Sequence, residues 1–366
     1  MTPMSEFEID REFLTGFLVD LLNVPSPSGD CDAAIDFCAQ ALQGWPLDLT
    51  RTEKGALTAT WSGGAGANPR AGANPGAGTH PRALTAHVDT LGVMVKEIKD
   101  DGRLKMTNLG GLNYASIECE GVRVRTLSGD EIAGSIMPVK ASSHVHGEDA
   151  LHARRDADSL EIRLDVCVTG AADVEKLGIR VGDFVYIDPR VERHNGFIRS
   201  RFLDDKACVA CMVASIKALA DAGLAPTQRT TFHFSTYEEV GHGGAAGFPA
   251  DIVELLTLDM AAVGSGQASD EFSVSICAKD SGGPYHHGLT RQLVSLAEVA
   301  GVAHKMDIYP GYSSDGGALW RAGADVRVAL IGPGIDGSHS YERTHEDALV
   351  ETTRLIVAYL LSAVSR

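Results

Sequence analysis

The stretch Thr230–Gly241, reading TTFHFSTYEEVG, constrains the fold more than any other. Apolar and polar residues alternate through it, with β-branched and aromatic side chains, and this reads as a buried strand. The run ends in two adjacent carboxylates, Glu238 and Glu239, and a glycine-rich turn follows from Gly241 to Gly247. In open α/β sheets, sites form where strands end. Two neighbouring carboxylates in a partly buried place repel, and one pKa rises. A metal, a cationic partner or solvent relieves that repulsion. Taken alone, a solvated turn carrying two acids is an equal reading, so the other polar groups of the chain decide.

Those groups sit on a recognisable alternation of elements. Residues 11–22 have helical apolar spacing, stopped by Asn23-Val24-Pro25, and 32–42 resume as helix. Residues 57–61 read as a strand, 83–87 as a strand running into His87-Val88-Asp89, and 93–98 as another. Between 57–61 and 83–87 lies a low-complexity insert, 62–81, with the near repeat GANP at 66–69 and 72–75. With almost nothing to bury, it reads as a flexible surface loop without a function. Residues 202–220 form a helix opened by Asp204-Asp205, 252–258 a strand ending at Asp259, and 272–276 a strand. Then come a helix at 290–300, a strand at 325–331 and a closing helix at 349–364. From 97 to 193 the texture changes to short β segments (122–127, 132–139, 160–166, 184–187) with one helix near 173–177. The expected fold is therefore α/β. A catalytic domain spans 1–96 and 194–366, and a β-rich module, 97–193, is inserted in it.

The chain has 366 residues, enough for a full core and two domains, and 44% of them are hydrophobic. A net charge of −17 argues against a nucleic-acid or anionic-membrane partner. No apolar run reaches membrane-spanning length, and the acidic start lacks a signal-peptide core. Seven scattered cysteines fit reduced thiols and a cytoplasmic setting better than a disulfide framework.

The polar residues gather by position. His87 and Asp89 follow one strand, Glu238 and Glu239 a second, and Asp259 a third. Asp204 opens a helix, and His339 lies in the loop before the last helix. Two histidines and several carboxylates are N/O ligands suited to zinc, manganese or cobalt. Two ions ~3.5–4 Å apart would neutralise the acids and make a hydroxide near neutral pH, with a free carboxylate as general base. Each piece has a bland reading. His-x-Asp after a strand is commonly structural, and Asp-Asp can be a helix cap with a first-turn acid. In this order and at strand ends, the set is far more specific.

The stretches AHVDTLGVMV (86–95), SRFLDDKA (200–207), YEEVG (237–241) and LTLD (256–259) give the chain a family likeness. So do SDGGA (314–318) and His339-Ser340. It resembles the tetrahedral (TET) aminopeptidases, cocatalytic dinuclear-zinc exopeptidases also labelled glutamyl aminopeptidases. The resemblance implies a mixed-sheet zinc-exopeptidase domain with an inserted PDZ-like lid or oligomerisation module. It implies two divalent ions per chain, most often Zn2+, with Co2+ or Mn2+ as alternatives. His87 would bind one ion and be oriented by Asp89. Asp204 would bridge both, Glu239 and Asp259 would each be terminal, and His339 would complete the second site. Glu238 would be the general base acting on a metal-bridging hydroxide. Short peptides would be the substrates, and a homo-oligomer, often a dodecamer, the assembly.

The chain departs from the pattern around the last ligand, where SHSYERTHED (338–347) replaces the family's His-Ser-Pro-x-Glu setting. His339 is preferred to His345 on its spacing from the last helix. The altered run keeps a second function open, an amidohydrolase or deacylase acting on a small modified amino acid or dipeptide. A non-catalytic scaffold on the same fold would require a lost ligand or base, and all the positions are filled. Cys208-x-x-Cys211 reads as helix packing, His144 and His146 as a loop, and His286 and His287 as surface histidines near a pocket.

Overall fold

The computed structural model describes residues 8–63 and 80–363. Its centre is four adjacent parallel strands in the order Thr230–Ser235, Arg82–His87, Glu254–Leu258 and Arg327–Asp336. Phe234 pairs with Ala86, Thr257 with Thr85 and Leu258 with Ile331. Parallel strands in register end together, so the residues following Ser235, His87 and Leu258 emerge on one rim. The strands Asp48–Arg51 and Leu57–Trp61 extend one side antiparallel, and strands of both senses extend the other. The result is a 13-stranded mixed sheet in an α/β fold.

Alternate residues of the central strands feed two cores, as the pleat requires. Leu84, Leu256 and Phe232 pack with the helices Arg11–Leu22, Leu203–Asp221, His287–Ala300 and Glu346–Leu361. Ala83, Leu255 and Val328 face the other way, toward Leu319 and Tyr285. Leu203–Asp221 is buried along nearly its whole length, and Cys208 and Cys211 are packing residues within it. Every cysteine of the described residues is free.

The β-rich region is a closed six-strand barrel with its own core of Val93, Leu104, Ile136, Ile162 and Val185. Its first strand, Gly92–Ile98, pairs with Leu104–Leu109 and Phe184–Ile187 rather than with the large sheet. Residues 92–96, assigned from sequence to the catalytic part, therefore pair within the barrel. Elements at the sheet margins escaped the sequence reading. His304–Ile308 is an edge strand whose Met306 and Ile308 stay exposed, so no buried alternation marks it. The strand Glu254–Leu258 starts two residues later than expected, and the last helix starts earlier, at Glu346. The insert 62–81 lies mostly outside the described residues. No helix among the described residues is long and apolar enough to cross a membrane.

Candidate metal centre

Two sets of donors meet on the rim of the parallel strands. His87, Asp204 and Asp259 form one, and Asp204, Glu239 and His339 the other; within each set the donor atoms lie within 4.8 Å of one another. Asp204 belongs to both. Its Oδ1 is 3.3 Å from His87 Nε2, and its Oδ2 is 3.5 Å from His339 Nε2. His339 Nε2 is also 3.6 Å from Glu239 Oε2. Glu238 belongs to neither set, yet its Oε2 is 3.8 Å from His87 Nε2.

Each histidine is turned by a bond on its other nitrogen. His87 Nδ1–H donates to the Asp89 carbonyl at 2.9 Å, and His339 Nδ1–H donates to the Gly111 carbonyl at 3.0 Å. Both therefore turn Nε2 inward, the nitrogen left to face a metal, as in ligand histidines. The Asp89 carboxylate accepts from the backbone N–H of Glu238 at 3.1 Å, from that of Glu239 at 3.3 Å and from the Ser28 hydroxyl. It ties the two strand ends together. Asp205 accepts from His87 N at 3.2 Å.

The electrostatics describe a site short of positive charge. Burial, followed by neighbouring carboxylates, raises the pKa of Glu239 and Asp259 well above the ordinary range. Burial raises Glu238 too, with Asp259, Asp315 and Asp89 adding to it and His87 opposing. Burial disfavours charge on His87, but the Asp204 hydrogen bond and the surrounding carboxylates outweigh it, and His87 rises well above its usual value. Buried carboxylates are ordinarily paired or metal-bound. Two His nitrogens, carboxylate oxygens, one shared Asp and no thiolate suit borderline divalent ions. The residues fit the metals that the resemblance implied.

Two contributors were missed from sequence. Glu342 is buried and accepts from Asp204 N and His339 N, both at 3.1 Å, so one carboxylate steadies residues from both sets. Only its place three residues past His339 could have marked it. Gly111 belongs to the barrel, and nothing local marks it. Asp315 lies under the turn after Glu239, with its carboxylate accepting from Gly244 N. His345 caps the last helix by accepting from Asp347 N at 3.1 Å, and it packs against Phe197 and Phe272. His286 caps the helix His287–Ala300, and His144 and His146 are exposed.

The centre opens into a cavity of about 570 Å³. Asp204, Glu238, Glu239, Asp259 and His339 line it together with the segments around Met260 and Tyr309–Ser313.

Known proteins share this arrangement of chain. The family model for M42 glutamyl aminopeptidase matches residues 71–355. "Putative aminopeptidase YhfE" of Bacillus subtilis (strain 168) is 46% identical over 344 residues, covering 94% of this chain and 96% of that one. An aminopeptidase of the archaeon Desulfurococcus kamchatkensis has the same fold, with a TM-score of 0.83 at 22% identity over 96% of both chains. The Pyrococcus horikoshii TET1 peptidase, described as assembling into a tetrahedron or a large octahedral shell, aligns with a TM-score of 0.80 at 21% identity. That alignment covers 96% of this chain and 100% of that one. The family model spans most of the sequence and the Bacillus relative nearly all of it, and on that footing the chain belongs to the M42 glutamyl aminopeptidase family, metal-dependent hydrolases of peptide bonds.

Proposed function

We propose that this chain is a dinuclear metallo-aminopeptidase that removes N-terminal residues from short peptides. One observation carries the reading: Asp204 is shared by two donor sets, and a carboxylate outside both sets, Glu238, stands beside them. His87, Asp204 and Asp259 would hold one ion, and Asp204, Glu239 and His339 the other, with zinc first and cobalt or manganese as alternatives. Bound ions supply Lewis acidity and lower the pKa of water.

The chain's own groups do the rest. Glu238 takes a proton from the attacking water as its oxygen bonds to the scissile carbonyl carbon. It returns that proton to the leaving amine nitrogen as the C–N bond breaks. A carboxylate whose pKa is raised by burial and by Asp259, Asp315 and Asp89 suits both halves of that transfer. Asp89 is a positioning residue, because it holds His87 through its carbonyl and the Glu238–Glu239 backbone through its carboxylate. The substrate occupies the cavity, and its free amine is drawn to the carboxylate-rich rim.

The run 338–347 contributes only Ser338 and His339 to the cavity wall. Tyr341 instead donates its hydroxyl to the Arg190 carbonyl and lies over that guanidinium. The motive for an amidohydrolase is correspondingly weak. The barrel, Gly92–Ile187, is read as the inserted lid or assembly module. It carries Leu127, Val145, Leu151 and Val181 exposed, side chains that self-association into a closed homo-oligomer, up to a dodecamer, in the cytoplasm would cover.

Glu238→Gln tests the assignment. It should keep two ions per chain and lose about 10²–10⁴-fold in kcat. Full activity in that variant would remove Glu238 from the mechanism.

A further inference from the structure

The cavity holds more than the reacting groups, and its composition bears on which N-terminal residue it takes. Beside the carboxylates, much of its wall comes from two segments, the one after Asp259 and the one before Asp315. Met260, Ala262, Gln267, Tyr309, Pro310 and Tyr312 are its substance. Among the described residues no lysine or arginine lines the cavity, and the one histidine in its lining, His339, belongs to the candidate metal centre. Lys54, which reaches the turn after Glu239, donates to the backbone oxygens of His242 and Gly243 and is absent from the wall.

Two polar groups of this lining are committed elsewhere. The Tyr309 hydroxyl is 2.7 Å from Ser269 Oγ, and Gln267 Nε2 donates to the Ile308 carbonyl at 2.8 Å. The Tyr312 hydroxyl is buried from solvent and has no hydrogen-bond partner, so the accessible part of Tyr312 is its ring. The Tyr309 and Tyr312 rings meet edge to face, with centroids 5.4 Å apart. They form a firm apolar surface rather than an adaptable polar one.

From this wall we infer that the enzyme selects an uncharged apolar N-terminal residue of leucine, methionine or phenylalanine size, and rejects glutamate and aspartate. The inference rests on the aminopeptidase reading and deepens it. An apolar side chain leaves water for Met260, Ala262 and the two tyrosine rings. An acidic side chain would lose its hydration against this apolar lining, with no lysine or arginine among the described lining residues to replace it. A lysine ammonium would lose its hydration against the same apolar lining. The family's glutamyl label does not describe this wall.

The test is kcat/KM of the metal-loaded full chain on leucyl, methionyl, phenylalanyl, lysyl, glutamyl and aspartyl p-nitroanilides. The leucine-sized apolar substrates should exceed the acidic ones by about 100-fold or more, the range that a mismatched side chain costs in a shaped pocket. Ala262→Arg places a cation on the wall without touching a metal donor, and it should shift the glutamyl-to-leucyl ratio at least about tenfold toward glutamyl. If the active wild type prefers glutamyl or lysyl substrates, the inference is overturned while the aminopeptidase reading stands. Should the metal-loaded wild type cleave no free-amine substrate at all, the aminopeptidase reading fails and takes this inference with it. A measurement on wild type alone decides the first point, so a poorly folding variant does not rescue the idea.

Discussion

Gly111→Ala probes the barrel's hold on the metal centre. A Cβ at this position would lie 3.0 Å from His339 Nδ1 and 3.1 Å from Cε1. Ordinary carbon contacts sit at about 3.5–4.0 Å, so the ring must retreat by roughly 0.5 Å. It cannot retreat freely. Its Nδ1–H is bonded to the Gly111 carbonyl, its backbone N–H is held by Glu342, and its φ of 62° is already left-handed. The shift therefore falls on Nε2, the atom facing Asp204 and Glu239 at 3.5 and 3.6 Å. Metal sites tolerate displacements of about 0.2 Å, and loss of an outer partner of a ligand histidine typically costs 10–100-fold in affinity. We expect one of the two ions to bind at least about tenfold more weakly, about 1.4 kcal/mol, while the His87 side keeps its ion. Stepwise metal titration by calorimetry, with metal content after dialysis, reads this directly. Two ions bound with unchanged affinities would refute the idea that the barrel loop orients His339.

Two further outcomes follow from buried charge. His233 is fully buried, with Thr85 on Nδ1 and no partner on Nε2, and burial, helped by Lys54, pushes its pKa down to about 3. The unfolded chain protonates it near 6.5. Between those values the unfolded state binds a proton that the folded state refuses. Its contribution is thus full above pH ~6.5 and is lost as pH falls toward 3, with a limiting slope of about 1.4 kcal/mol per unit. Chemical denaturation of His233→Gln between pH 4.5 and 7.5 should lack that slope; an unchanged slope would remove His233 as its source. Chelation should lower the thermal midpoint by several degrees, consistent with about 2.7 kcal/mol at a metal concentration 100 times its Kd. The gap should widen with pH. Glu239 and Asp259 have raised pKa values in the metal-free fold, so that fold loses stability as pH rises above the ordinary carboxylate range, while metal binding gains from deprotonation. Identical scanning-calorimetry midpoints with and without chelator would contradict a metal-supported fold.

Much of the clustering of the candidate centre could be read from the sequence because its groups follow central parallel strands. Such strands carry a dense apolar signal, and parallel pairing brings their ends to one rim. His87, Asp89, Glu238, Glu239 and Asp259 all benefit from that rule. His339 and Asp204, a loop histidine and a helix-opening acid with bland readings, could be grouped with the rest by position, but their roles came only from the family likeness. Glu342 and Gly111 stayed hidden for a different reason. Glu342 acts across 138 residues of sequence on Asp204, and Gly111 acts across 228 on His339. No local pattern encodes contacts of that span. Edge strands such as His304–Ile308 were lost because their exposed side chains erase the alternation that marks buried ones.

The most direct measurement sets metal content against hydrolysis of a free-amine leucyl anilide and its N-acetyl counterpart. Chelated protein is reconstituted stepwise with zinc, cobalt or manganese, and bound ions per chain are counted at each step. The account expects two ions at saturation, full activity only as the second site fills, and cleavage of the free-amine substrate alone. Full activity in metal-free protein, or cleavage confined to the acetylated substrate, would contradict it.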